Sequence, residues 1–158
     1  MLPIIIDFSS SNLGRVEFDA DVITGDRKSL KSVEFKLDSG SDFTTLSCDD
    51  LEMLGYDMEY LKSCPYHNTR ASTASEDLVL PLQYITDVSI KFGERELQGC
   101  RIFFALGTNL RSLFGSDILK YFNREINYDY NELRLTELKS KPILSPGEKP
   151  IQIYTLSD

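Results

Sequence analysis

Val33-Glu34-Phe35-Lys36-Leu37-Asp38-Ser39-Gly40-Ser41-Asp42-Phe43-Thr44-Thr45-Leu46 is the stretch on which the fold turns. Val33, Phe35 and Leu37 alternate with Glu34 and Lys36, the period-two pattern of a half-buried strand. That strand runs into an acidic turn of small residues, so a carboxylate, Asp38, is delivered to a strand end. Ser39, Gly40 and Ser41 leave room for backbone to approach backbone, and Gly40 has a wide conformational range. Thr44, Thr45 and Leu46 then resume strand character.

A second stretch, Leu113-Phe114-Gly115-Ser116-Asp117-Ile118-Leu119-Lys120-Tyr121-Phe122, reads as two apolar residues and a glycine opening a short helix. In that helix Ile118, Leu119 and Phe122 are spaced to pack on one face, with Lys120, Asn123 and Arg124 toward water. Asn127 to Leu135 follows as a hairpin. Asp-Ser-Gly alone is ordinary turn chemistry. The two motifs together, in this order, resemble the active-site loop and second signature of the retropepsin-like aspartic proteases, over most of residues 33–138.

The resemblance implies a mainly β, retropepsin-like half-barrel with one or two short helices, working as a homodimer. It implies catalysis by Asp38, with Ser39, Gly40 and Ser41 supporting the loop, and Ser39 offering its hydroxyl across the two-fold axis. Asp42 would receive substrate backbone N–H groups. The Arg that often accompanies this Asp in the family is replaced by Ser116, which leaves Asp42 either paired elsewhere, Arg111 being one candidate, or solvated. Gly115 and Asp117 carry the structural part of the second motif. The polar segment Thr69 to Glu76 falls where the family has its substrate-covering hairpin, with Thr73, Ala74, Ser75 and Glu76 at the tip and the first three in contact with substrate. No glycine lies between Gly55 and Gly93, so a stiffer lid or a plain surface loop fits this segment equally.

The chemistry so implied needs two carboxyl groups sharing a proton, and the chain contains one match to the loop. The second carboxyl would come from another copy. The expected activity is hydrolysis of peptide bonds by a water activated between two Asp38 side chains, with no metal and no cofactor. The alternative is a catalytically silent domain of the same fold that dimerises or binds peptide. A binder gains little from an Asp placed where like charges oppose dimerisation, so the enzyme is favoured.

A chain of 158 residues makes one ordinary domain. The net charge of -8 and pI near 4.7 argue against nucleic acid as a partner, because phosphate recognition requires clustered Lys and Arg. They argue equally against a basic membrane surface. Met1 to Ile6 is apolar but ends at Asp7, too soon for a signal peptide, and no run is long enough to span a bilayer. Three dispersed cysteines, Cys48, Cys64 and Cys100, fit a reducing, cytoplasmic setting. Cys64-Pro65-Tyr66-His67 has a ligand-like spacing, but closed zinc sites use two tight pairs; buried thiols and a surface histidine are expected instead. With His67 the only histidine, serine or cysteine hydrolase chemistry is disfavoured.

Ser47 caps an expected helix carrying Asp49 and Asp50 in its first turn, with an apolar stripe of Leu51, Leu54, Met58 and Leu61 and a stop at Gly55. Ile4–Ile6 and Arg15–Val22 read as strands, as does Val88–Phe92; Ile102 to Leu106 is apolar enough to be buried on both faces. The domain is taken as residues 1–138. Residues 139–158 form a tail whose strand-like piece, Ile151 to Tyr154, either joins a dimer-interface sheet or docks loosely.

Overall fold

The computed structural model describes residues 2–10, 14–72 and 79–156. Strand is the dominant element, 47% against 12% helix. An eight-stranded sheet runs β11-β7-β6-β3-β4-β8 with two side branches, and a three-stranded sheet runs β1-β10-β9. In chain order the strands are β1 (Ile4–Asp7), β2 (Ser9–Ser10), β3 (Val16–Ile23), β4 (Ser29–Leu37), β5 (Tyr66–Ser72), β6 (Val79–Phe92), β7 (Arg95–Phe104), β8 (Leu113–Phe114), β9 (Phe122–Asn127), β10 (Glu132–Glu137) and β11 (Gln152–Thr155).

Alternation in the sequence becomes alternation in burial. In β3, Val16, Phe18, Ala20 and Val22 point inward, and in β4 Val33 and Phe35 do so. The two strands pair with Phe18 opposite Phe35, and their rings meet those of Phe92 and Phe114 at centroid distances of 5.4 to 6.2 Å. Phe35 brings β4, the strand that leads into Asp38, into this aromatic cluster. Of the run Ile102 to Leu106, expected to be buried on both faces, Ile102 to Ala105 are enclosed and Leu106, past the end of β7, is half-buried. Phe103 anchors a second, smaller core with Leu82 and Ala105, against which Phe43, Tyr84 and Leu110 pack.

Three short helices form, where the sequence suggested one or two: α1 (Cys48–Met53), α2 (Met58–Ser63) and α3 (Ser116–Leu119). The stripe from Leu51 to Leu61 is cut because Gly55 takes φ +93° and Asp57 starts a new helix, accepting from the Tyr60 N–H at 2.8 Å. Ser47 caps α1 through the Asp50 N–H at 3.1 Å. Helix α3 is one turn long, so Phe122, expected on its face, instead opens β9.

The tail after residue 138 is stitched to the domain. Strand β11 pairs with β7, Ile151 N–H donates to the Tyr121 hydroxyl at 3.0 Å, and Lys120 Nζ reaches Glu148 at 2.8 Å. Burial raises the acidity threshold of Glu148, but the Lys120 and Ser145 bonds outweigh it and hold its pKa low. Strand β1 likewise pairs with its own β10. Both terminal strands are therefore used within the chain. Among the described residues, no helix is long and apolar enough to cross a membrane.

Candidate active site

The site is made where two loops are pinned to one another. Strand β4 ends alongside β8, the only parallel pair of strands among the described residues, with Leu37 opposite Phe114. The Asp38 N–H donates to the Phe114 carbonyl at 3.0 Å. The chain then turns: Ser41 N–H donates to the Asp38 carbonyl at 3.1 Å, and Gly40 N–H to Asp38 Oδ1 at 3.1 Å. Such side-chain acceptance two residues on is the usual way Asp closes a turn. The Ser41 hydroxyl donates to the Phe43 carbonyl at 2.8 Å and fixes the far side of the loop.

Thr44 to Leu46 then slot between the end of β7 and β8. Phe103 N–H donates to Thr44 O at 2.9 Å and Leu46 N–H to Phe103 O at 3.0 Å, while Thr45 and Leu113 exchange N–H···O bonds of 2.9 and 3.1 Å. The Thr45 hydroxyl donates to the Arg111 carbonyl at 2.6 Å.

Gly115 and Asp117 lock this arrangement from the other side. Ser116 N–H donates to the Ser41 carbonyl at 2.8 Å, and Gly115 N–H to Thr44 Oγ1 at 3.0 Å. Asp117 accepts from the Thr44 hydroxyl at 2.6 Å and from the Thr44 N–H at 3.0 Å. Burial pushes the Asp117 carboxyl pKa up; the bonds from Thr44 and the Ile118 N–H offset only part of that. Gly115 has extended backbone, so its role is proximity. A Cβ there would lie 2.5 Å from the Phe43 carbonyl oxygen.

The Asp38 carboxylate keeps 30% of its side-chain surface exposed, and Lys36 Nζ stands 3.9 Å from its Oδ2. At that exposure the pair adds little stability, so its significance is the positive charge it sets beside the carboxylate. Ser39 and Asp42 are exposed. Arg111 does not reach Asp42: it lies 3.5 Å from Glu17 and 3.9 Å from Glu34, because β3 and β4 present those carboxylates on the face where Arg111 emerges. Strands β5 and β6 pair antiparallel as the two arms of a hairpin, and the expected tip residues Thr73, Ala74 and Ser75 lie outside the described residues.

His67, expected at the surface, is half-buried, its ring 5.1 Å from Phe43 and 5.4 Å from Phe103. Cys64 and Cys100 are buried thiols and Cys48 is half-buried. Burial pushes the pKa of both the Cys64 and Cys100 thiols up, strongly for the fully enclosed Cys100, which works against thiolate chemistry at either. Among the described residues no group of three His, Cys, Asp or Glu side chains could hold a metal ion.

Lys36 was not anticipated at this site, although it was legible from the period of β4, since it shares a face with Asp38 two residues on. Thr44 belongs to the loop stretch that the sequence marks, but its full burial and its bonds to Asp117 were not foreseen.

A mainly β chain in which one strand-end loop is clamped by a glycine-led turn and helix has the retropepsin-like fold. A solved retropepsin-like aspartic protease from Rickettsia conorii matches it with a TM-score of 0.55, over 84% of this chain and 89% of that one, at 22% sequence identity. At that identity the likeness defines the architecture. No family model matches the sequence, and no curated protein does.

Proposed function

We propose that the chain is an aspartic endopeptidase whose catalytic pair consists of Asp38 from each of two copies. The observation that carries this reading is the clamp: the Asp38 main chain is bonded to Phe114, Ser41 is bonded to Ser116, and the carboxylate between them stays part-exposed. Immobilising the backbone around a part-exposed carboxylate is what positioned acid–base chemistry requires.

In this reading the two carboxyl groups lie about 3 Å apart and share one proton, because two such charges cannot both ionise at that distance. The ionised member takes a proton from a water, whose oxygen attacks the scissile carbonyl carbon. The protonated member gives its proton to the carbonyl oxygen. Collapse of the diol transfers a proton to the amide nitrogen, and the C–N bond breaks. Extended peptide lies between this floor and the β5–β6 hairpin. Asp42, Thr73, Ala74 and Ser75 contact it, while Ser39, Gly40 and Ser41 hold the loop.

Strands β1, β9 and β11 each pair on one side only among the described strands, and we place the second copy on β9. Strand β9 has one unpaired side among the described strands, and the row Ile6–Leu133–Ile126 carries an apolar line up to it. Antiparallel pairing of two β9 strands about a two-fold axis sets one residue against itself. Centring it on Arg124 or Glu125 opposes like charges, whereas centring it on Ile126 continues the apolar row into the partner.

Asp38→Asn tests the proposal. The variant should keep the fold and the dimer and lose cleavage of a fluorogenic peptide library by at least about a thousandfold, since one member of the acid–base pair is gone. Unchanged cleavage would refute it. A wild-type dimer that binds peptide yet never cuts from acid to neutral pH would establish the silent binding domain instead.

A further inference from the structure

We infer that Arg101 is a specificity residue: from an aromatic shelf beside the catalytic loop it takes a Glu or Asp side chain of the substrate, away from the cleaved bond. This rests on the peptidase reading and adds a substrate preference to it.

A shelf of rings joins the catalytic loop to the β5–β6 hairpin. The Phe103 ring is 4.5 Å from that of Phe43, which follows Asp42 in the loop, 5.4 Å from that of His67 on β5, and 5.6 Å from that of Tyr84 on β6. Phe103 itself is buried, whereas Phe43, His67 and Tyr84 are half-buried and keep the shelf partly open. Loop on one side and hairpin arm on the other is the place the peptidase reading gives to extended peptide. None of these residues lies on β9, which belongs to the other sheet and where the second copy is placed.

Arg101 rests on this shelf. Two residues before Phe103 on β7, it shares that strand face, and its guanidinium carbon stands 5.3 Å from the Phe103 ring centroid and 5.8 Å from that of Tyr84. Ring contact fixes a guanidinium without using up its N–H donors, which stay able to grip a carboxylate. Among the described residues no carboxylate forms an ion pair with Arg101. A half-buried charge lacking a counter-ion is partly desolvated at a cost, and a substrate carboxylate arriving on the shelf offsets it with charge-assisted hydrogen bonds. Steps of 4.5 Å and 5.3 Å lead from Phe43 through Phe103 to the guanidinium, about three residues of extended chain, so the carboxylate it meets is remote from the cleaved bond. With two copies about a two-fold axis, the peptide passes one Arg101 at each end.

The test places Glu, Gln or Lys at each position of a cleaved peptide in turn. Wild type should favour Glu over Gln about fivefold in kcat/KM at outer positions on both sides of the scissile bond and not at the two positions flanking it, with the ratio carried by KM and falling as salt rises. Arg101→Gln should abolish the ratio, and Arg101→Glu should invert it toward Lys. A residue that merely covers the Phe103 ring would lower Tm in Arg101→Gln and leave the ratio standing, which overturns the inference. So does a wild-type enzyme indifferent to Glu against Gln at every outer position, and in both cases the peptidase stands.

Should no peptide be cut at all, the peptidase reading fails on its own. Arg101 is then judged by binding of labelled Glu and Gln peptides, measured by fluorescence anisotropy. A Glu preference lost in Arg101→Glu supports its role. Equal binding of the two peptides, or a Glu preference that survives in Arg101→Glu, overturns it.

Discussion

Gly115→Ala should unfold the clamp from the inside. The added methyl would lie 2.5 Å from Phe43 O, 2.6 Å from Phe43 C and 2.9 Å from Ser41 O, all backbone atoms with no rotamer to yield. Ordinary contact requires the two loops to part by roughly an ångström. The Ser116 N–H···O Ser41 bond at 2.8 Å and the Gly115 N–H···Oγ1 Thr44 bond at 3.0 Å would then be out of range. Overpacking costs about 1–3 kcal/mol and each lost bond about 1 kcal/mol, giving a destabilisation of about 3–5 kcal/mol. For a domain of this size, that lowers Tm by about 10 °C. The assay is paired thermal and urea denaturation, with Gly93→Ala as the control. Gly93 has φ +58° and open space around it, so alanine there costs only backbone strain, about 1 kcal/mol. If Gly115→Ala proves no less stable than Gly93→Ala, the close approach of the two motifs does not exist as described.

Asp117→Asn should lose stability relative to wild type as pH falls from 7 toward 4. The Asp117 pKa is raised by burial, so the folded state binds its proton more tightly than the unfolded state does; the stability this contributes is present in acid and is lost as pH rises through the folded pKa. Urea midpoints of both proteins at the two pH values read this directly, and a difference independent of pH would contradict it. Ile126→Lys should weaken the dimer by about tenfold or more, because lysine would face its own copy on the axis. Sedimentation equilibrium measures this, and an unchanged dissociation constant would move the interface away from β9.

Much of the architecture was written in local pattern. The alternation of Val33 and Phe35 and the apolar run from Ile102 to Ala105 translated into burial, since period two leaves one solution for a strand on a core, while Leu37 and Leu106, where each stretch leaves its strand, are only half-buried. Ser47 and Asp50 marked α1 because cap chemistry is local. What escaped depended on partners distant in sequence. Arg111 reached Glu17 and Glu34 rather than Asp42 because strand pairing, not spacing, decides which carboxylates an arginine meets. Phe122 left the expected helix because pairing with Glu137 in β10 outcompeted another turn. His67 is half-buried where a surface position was expected, its ring packed on Phe43 and Phe103 from remote segments. In the candidate site, Asp38 and its loop were legible as a motif, as was the second stretch. The Thr44–Asp117 bond that joins them spans residues far apart in the chain, and no periodicity encodes such a contact.

The account stands on two Asp38 side chains meeting across a symmetry axis. A crystal structure of the assembled protein measures this most directly: the carboxyl oxygens of the two copies should approach to about 3 Å, with a water between them. A stable monomer at working concentration, or a dimer whose Asp38 carboxyls point apart, would contradict it.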